Sequence, residues 1–292
     1  MIRSSRPALD ASIYTTSKVD SHCHILDPHR FPYAADVAYR PAGQETGSAD
    51  YFAQVLDAYG VQHALLVGPN SGYGTDNRCM LDAIARSQGR FKGIAVVPND
   101  ESSDRLLALK TQGIVGIAFN FGLHGLDHYR DIPPLLARLA ELEMFVQVQV
   151  DGEQMHILAP VLADCGAQLL IDHCGRPDAS AGLGGKGFAA VLEMAQTRRA
   201  TVKLSGFSKF SVQAFPFADT RPYVNALLQA YGPDHCIWAS DWPFLKAPDR
   251  LDYGALLQQF AQTIPNLADR QKILWDTPQR LFGFQNSGFA GS

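Results

Sequence analysis

The chain has 292 residues, of which 46% are hydrophobic and 18% charged, and its formal net charge is -4. That is globular composition and excludes disorder as a global description. There is no basic excess to neutralise phosphates, and no apolar run approaches the roughly 20 residues of a membrane-spanning helix, so neither nucleic acid nor membrane is expected as a partner.

Residues 1–18 carry no apolar segment of the signal-peptide kind and read as an N-terminal arm. The five cysteines are odd in number, widely spaced and without a CxxC pair. They predict neither a disulfide framework nor a four-cysteine zinc site, and the expected compartment is a reducing cytoplasm.

From residue 19 onward, strand-like apolar runs alternate with amphipathic stretches. The runs cover 19–25, 63–67, 92–97, 114–119, 144–150, 168–172, 201–205 and 236–240. The helical stretches lie near 50–59, 76–89, 101–112, 131–142, 153–164, 187–199, 220–231 and 252–263. Gly60, Gly89, Gly113, Gly166 and Gly232 each stand between a helical stretch and the next strand, the place where a left-handed cap ends a helix. Eight strand–helix alternations predict an α/β fold with a parallel sheet closed as a (β/α)8 TIM barrel, one domain over 19–284. Residues 285–292 read as a tail. No GxGxxG follows the first strand and no GxxxxGK[ST] occurs, which removes the nucleotide-binding open sheets. Long connections over 26–49, 174–187 and 206–219 follow strands one, six and seven, on the face where barrel enzymes carry their sites.

The chemistry-bearing residues fall on that face. In Asp20-Ser21-His22-Cys23-His24, strand alternation points His22 and His24 the same way and Cys23 the other. His173 follows strand six in IDHCGRPD, and Asp241 follows strand eight in WASDWP, where it is either a helix N-cap or a site residue. Barrel closure sets strand eight beside strand one, so three histidines and a carboxylate gather at one mouth. Such a cluster could hold one zinc ion with a position left for water. Without metal, the aspartate would take a proton from water while other groups polarise a carbonyl. Asn120 at the end of strand four and Ser205 at the end of strand seven are candidate substrate contacts, with turn-forming as the alternative for Asn120. Asp76 is as consistent with a helix cap as with a site. His29, His128, His156 and His235 fall on loops or outer helices, and the phenylalanines at 207, 210, 215 and 217 read as packing before they read as a lid.

VDSHCHILDP, IDHCGRPD and WASDWP resemble the amidohydrolase superfamily, in its lactonase-like branch that includes lactonases acting on 2-pyrone-4,6-dicarboxylate. The likeness runs from about 19 to 283. It implies opening of a carboxylate-bearing lactone, a role in aromatic catabolism, Asp241 as the base that activates water, and His22, His24 and His173 as its catalytic partners. It also implies that Arg176 binds a substrate carboxylate. Zinc-dependent decarboxylation and lactone isomerisation on the same scaffold are the alternatives. Strand four has neither the lysine nor the glutamate that bridges two metals in many members, and strand five offers Gln147 and Gln149 in place of a histidine. These departures leave either no metal or a single zinc on His22, His24, His173 and Asp241, with Gln149 as a further substrate contact. Ala118, and the loop Gly122-Leu123-His124, stand where the branch has basic residues. A substrate with fewer anionic groups, or a substitute cation from Lys203, Lys209 or Arg130, would follow. The oligomeric state is not legible in the sequence.

Overall fold

In a computed structural model of the chain, which describes residues 9–37 and 39–284, the apolar runs become eight strands. They are β1 (Lys18–Cys23), β2 (Val61–Val67), β3 (Phe91–Ala95), β4 (Ile114–Asn120), β5 (Phe145–Gln149), β6 (Leu169–Ile171), β7 (Ala200–Leu204) and β8 (Cys236–Trp238). All pair in parallel in sequence order. The barrel closes just beyond β8. The Asp241 amide donates to the His22 carbonyl at 2.9 Å, and the His24 amide donates to the Trp242 carbonyl at 2.8 Å. This is the predicted (β/α)8 barrel.

The helices form where the amphipathic pattern places them, and local chemistry marks their ends. Ser48 caps Ala49–Ala58 by accepting from the Tyr51 amide, and Ser102 caps Ser103–Thr111 by accepting from Arg105. Prolines open Pro133–Glu141 and Arg221–Tyr231, where a missing amide costs nothing. The five predicted cap glycines all have positive φ, between 67° and 94°. The helix read over 187–199 is shorter, at Lys186–Met194. A 3-10 turn follows it, and Arg198 then turns left-handed at φ 54°.

Side chains alternate along each strand between the helix layer and the lumen. Val146 and Val148 face the helices, while Phe145, Gln147 and Gln149 share the inner row. β1 is irregular: its register with β2 shifts between Asp20 and Cys23. That shift lets Val19 join the inner apolar cluster while His22 and His24, of opposite parity, also point inward. The lower lumen is filled by Val19, Leu65, Ile94, Phe145, Leu170 and Ile237.

The C-terminal segment was not resolved into elements by pattern alone. Leu267–Gln271, a π-helical turn Lys272–Asp276 and Thr277–Phe282 run continuously and carry Phe282 and Phe284 under that apolar layer. Lys92, near the start of β3, donates to the Gly283 carbonyl at 3.0 Å and so fixes this plug at the N-terminal mouth. Within the expected arm, Ala11–Tyr14 forms a 3-10 turn, Asp10 is tied to Gln258 and Arg270, and Lys18 already belongs to β1. The tail read at 285–292 lies outside the described residues. Among the described residues, no helix is long and apolar enough to cross a membrane.

Candidate active site

At the C-terminal mouth a cleft of about 360 Å³ opens over the ends of the strands. Its floor is the predicted cluster. The Nε2 atoms of His24, His173 and His22 stand 3.5, 3.7 and 3.9 Å from one oxygen, Oδ1 of Asp241. The His22 and His173 ring centroids are 4.7 Å apart, and those of His22 and His24 5.0 Å. The other carboxylate oxygen of Asp241 is 3.3 Å from Lys209 Nζ.

Backbone geometry produces this convergence. Asp241 has φ 60°, so it is no helix cap; its amide is consumed in the barrel-closing bond and its side chain turns inward. Ser240, one residue earlier, is anchored by Asp20, which accepts from its amide at 2.9 Å and its hydroxyl at 2.5 Å. His173, Cys174, Gly175 and Arg176 are all left-handed, a run costing on the order of 1–3 kcal/mol for each non-glycine residue. The turn swings the His173 ring over Gly206, where a Cβ would come within 2.5 Å of the ring. Only glycine fits that position.

Hydrogen bonds on the far side of each ring set which nitrogen faces the cleft. His24 Nδ1 meets the Val67 carbonyl at 2.8 Å; a carbonyl only accepts, so Nδ1 carries the proton and Nε2 presents a lone pair. His22 Nδ1 is 3.2 Å from both Asp172 Oδ1 and Lys203 Nζ; the ammonium already has Gln147 Oε1 and Asp172 as acceptors, so the bond to the carboxylate keeps the proton on Nδ1, with the same consequence. His173 Nδ1 is 3.0 Å from the Ser205 hydroxyl, which serves either tautomer.

Beneath the floor lies a polar layer that pattern reading did not assemble. Lys203, fully buried on β7, is 3.0 Å from Asp172 Oδ1 and donates to Gln147 Oε1 at 2.6 Å. Gln147 Nε2 donates to Asp172 Oδ2 at 2.9 Å. Burial and the Lys203 charge pull the His22 imidazole down to about 4, against the attraction of Asp172. Burial likewise pulls His173 down to about 3. Burial resists the charge on Asp241, but Lys209 and the surrounding imidazoles outweigh it and hold the carboxyl well below its ordinary range. The floor therefore sets one ionised carboxylate beside the neutral imidazoles of His22 and His173.

Lone pairs of two imidazoles facing a carboxylate oxygen call for a proton donor or a cation between them. The donor atoms of His22, His24 and Asp241 lie close enough together to fit one metal ion, while His173 reaches Asp241 Oδ1 at 3.7 Å but falls outside that set. Zinc–ligand bonds of about 2.0–2.1 Å imply tetrahedral donor separations of roughly 3.4 Å, close to the spacings seen here. His22, Asp172 and His173 form a second set of metal-ligand type. There the Lys203 ammonium already lies against Asp172 and His22. The residues present fit one ion, not two.

The remaining predicted residues divide. Arg176, Asn120 and Gln149 line the cleft. Arg176 Nε is paired to Asp151 at 2.8 Å, and Asn120 Oδ1 accepts from the Leu123 amide, capping the short helix Phe121–His124. Ser205 is not a cleft residue; it backs His173 and positions the ring, because its strand turns it toward Nδ1. Of the substitute cations, Lys209 lines the cleft. Lys203 is locked beneath it by its own partners, and Arg130 is exposed beside Asp127 and away from it. Asp172, Lys203 in its buried role, and Asp151 were missed. A lysine inside the apolar run TVKLS, and an aspartate sharing the parity of Leu170, were the available signals. Phe207, Phe210 and Phe217 are buried in packing and Phe215 is exposed.

Known lactone hydrolases resemble the chain over most of its length. The chain is 32% identical over 276 residues to a 4-sulfomuconolactone hydrolase of Rhizobium radiobacter, covering 90% of this chain and 89% of that one. It is 28% identical to a 2-pyrone-4,6-dicarboxylate hydrolase of Comamonas testosteroni over 277 residues, 90% of this chain and 89% of the other. A solved structure from Acinetobacter baumannii, a "probable 2-pyrone-4,6-dicarboxylic acid hydrolase" with citric acid bound, superposes with a TM-score of 0.83 at 28% identity, covering 91% of this chain and 99% of that one. The model of the amidohydrolase family matches residues 19–284, from the first histidine strand to the C-terminal plug, and the chain belongs to that family.

Proposed function

We propose that the protein hydrolyses a carboxylate-bearing lactone, with Asp241 as general base. The observation that carries this reading is the convergence of three imidazole Nε2 atoms on Asp241 Oδ1 at the floor of an open cleft. Water at that point donates to Asp241 Oδ1 and to the bare Nε2 of His24 or His22. Its oxygen then attacks the lactone carbonyl, and Asp241 takes the proton. A carboxylate held this far below its ordinary range is a weak base, so polarising the carbonyl must do much of the work. His173 suits that role, since the Ser205 hydroxyl can donate to Nδ1 and leave a proton on Nε2. Lys209 adds positive charge at the same edge. As the carbon–oxygen bond of the ring breaks, the protonated Asp241 returns its proton to the leaving oxygen, and the product is an open-chain hydroxy acid or its keto form. Arg176, Asn120 and Gln149 contact the substrate from the walls. A zinc ion on His22, His24 and Asp241 would supply Lewis-acid polarisation of the carbonyl in the same place.

Replacing Asp241 by Asn is expected to lower kcat on a lactone substrate by about 10²–10⁴-fold, with the far-ultraviolet circular dichroism unchanged. Full activity in that variant sinks the assignment. Elemental analysis with activity before and after chelation separates the two forms of the site. Stoichiometric zinc and loss on chelation support the metal form; activity without metal supports the bare acid–base form.

A further inference from the structure

The cleft and the layer beneath it have an unusual charge balance. The cations are Arg176, Lys209, Lys246 and, below the floor, Lys203; the carboxylates are Asp151, Asp172 and Asp241. Three of the cations are already matched. Lys203 meets Asp172 at 3.0 Å, Lys209 meets Asp241 at 3.3 Å and Arg176 meets Asp151 at 2.8 Å. Among the described residues, Lys246 is the cleft cation whose ammonium has no carboxylate within 4.0 Å; the nearby Glu45 carboxylate accepts from its backbone amide at 2.7 Å. It is exposed at the rim, and its ammonium lies 4.7 Å from the Tyr39 ring centroid.

Arg176 and Asp151 form an ion pair by proximity: Nε lies 2.8 Å from Oδ1 without hydrogen-bond geometry, and burial raises the Asp151 carboxyl above its ordinary range against the pull of Arg176, while the backbone holds the two residues together. A backbone bond from the Gly152 amide to the Arg176 carbonyl, 3.0 Å long, holds the two segments together. The Asp151 amide donates to Gln154 Oε1 at 2.8 Å, and Gln154 in turn donates to the Phe121 carbonyl. Across the pair stands Gly122, where a Cβ would lie 2.6 Å from Asp151 Oδ2. Any larger residue there would crowd the carboxylate out of its place beside the guanidinium. Arg176, the expected carboxylate anchor, therefore already has a carboxylate.

We infer that the cleft takes a lactone carrying a single negative charge, seated at the Lys209–Lys246 edge, and that Arg176 in its pair with Asp151 contacts a neutral oxygen of the substrate. This rests on the lactonase reading and narrows it. A second substrate carboxylate directed at Arg176 would have to compete with Asp151, and the repulsion between the two carboxylates disfavours it. Lys209 and Lys246 sit on adjoining turns, since Lys209 donates to the Leu245 carbonyl next to Lys246. Together they offer an anion one firm partner and one shared partner.

The test measures kcat/KM, before and after chelation, on three probes: neutral L-fucono-1,5-lactone, a γ-lactone with one carboxylate, and 2-pyrone-4,6-dicarboxylate. The monocarboxylate is expected to exceed the other two by about tenfold. Asp151→Asn, which releases Arg176, is expected to raise the dicarboxylate relative to the monocarboxylate by about tenfold. Lys246→Met is expected to raise KM for the monocarboxylate. A wild-type preference for the dicarboxylate, or an unchanged ratio in Asp151→Asn, overturns the inference and leaves the lactonase reading standing. If no lactone is turned over, that reading falls, and calorimetric binding of the same three compounds decides the charge rule. Tightest binding of the monocarboxylate upholds it, and tightest binding of the dicarboxylate overturns it.

Discussion

Along β5 and β6 the inner rows change character within two residues. Phe145 and Leu170 belong to the apolar lower lumen, while Gln147 and Asp172 belong to the polar layer under the cleft. Both layers are equally dry, with Leu170 at 0% and Asp172 at 1% exposure. They are held by different physics. The lower layer is stabilised by removing apolar surface from water, which is non-directional and tolerant of changes in shape. The upper layer holds an ammonium and a carboxylate out of water, and each is tolerable only because the other is 3.0 Å away. The same barrel thus supports a forgiving half and an exacting half, and the exacting half orients the His22 imidazole that faces the substrate.

The sharpest way to break this contrast is Lys203→Met, which leaves Asp172 buried and unpaired. It is expected to destabilise the fold by about 3–5 kcal/mol in urea titration. Adding Asp172→Leu in the same chain is expected to recover much of that loss while activity stays low, because His22 loses its orienting partner. Failure of the second change to restore any stability would argue against a coupled pair.

Leu170→Ala probes the forgiving half. The expected cost is about 3 kcal/mol, from lost transfer energy and the cavity left behind. kcat on a lactone substrate should remain within about twofold, since the change leaves every polar contact of the floor in place. A large fall in kcat would show that the two layers are mechanically coupled.

The smallest expected effect is in pH dependence, where the buried imidazoles of the floor act against Asp20, whose carboxyl burial raises to about 6. His22 and His173 titrate near 4 and 3 when folded, against about 6.5 when unfolded. Their folded values are depressed, so the unfolded chain binds more protons as pH falls below 6.5. Stability is therefore lost on acidification. From pH 7 to pH 5.5, chelator-treated protein should lose about 1 kcal/mol per imidazole, read as a falling urea midpoint. Replacing His22 with Asn should flatten the curve, whereas Leu170→Ala should shift it down without changing its slope.

Much of the architecture was legible locally. A strand or helix reveals itself through the periodicity of neighbouring residues, and all eight strands appear within a few residues of their expected places. Asp241, His22, His24 and His173 were legible because a barrel gathers the C-terminal ends of its strands at one mouth, whatever the details of packing. The charge pairs were not. Arg176 looked like a free anchor, Ser205 like a substrate contact, and Lys203 like a substitute cation. The first is paired with Asp151, the second is turned to His173, and the third is buried against Asp172 and Gln147. Those partners lie 25 to 56 residues apart in the chain. Sequence by itself determined the alternation, the glycine caps and the gathering of imidazoles around one aspartate, since these follow from backbone periodicity and chain order. Only the tertiary structure decided which charges neutralise one another and which is left for a ligand, because Coulomb attraction and desolvation depend on separations of a few ångströms that barrel closure alone sets.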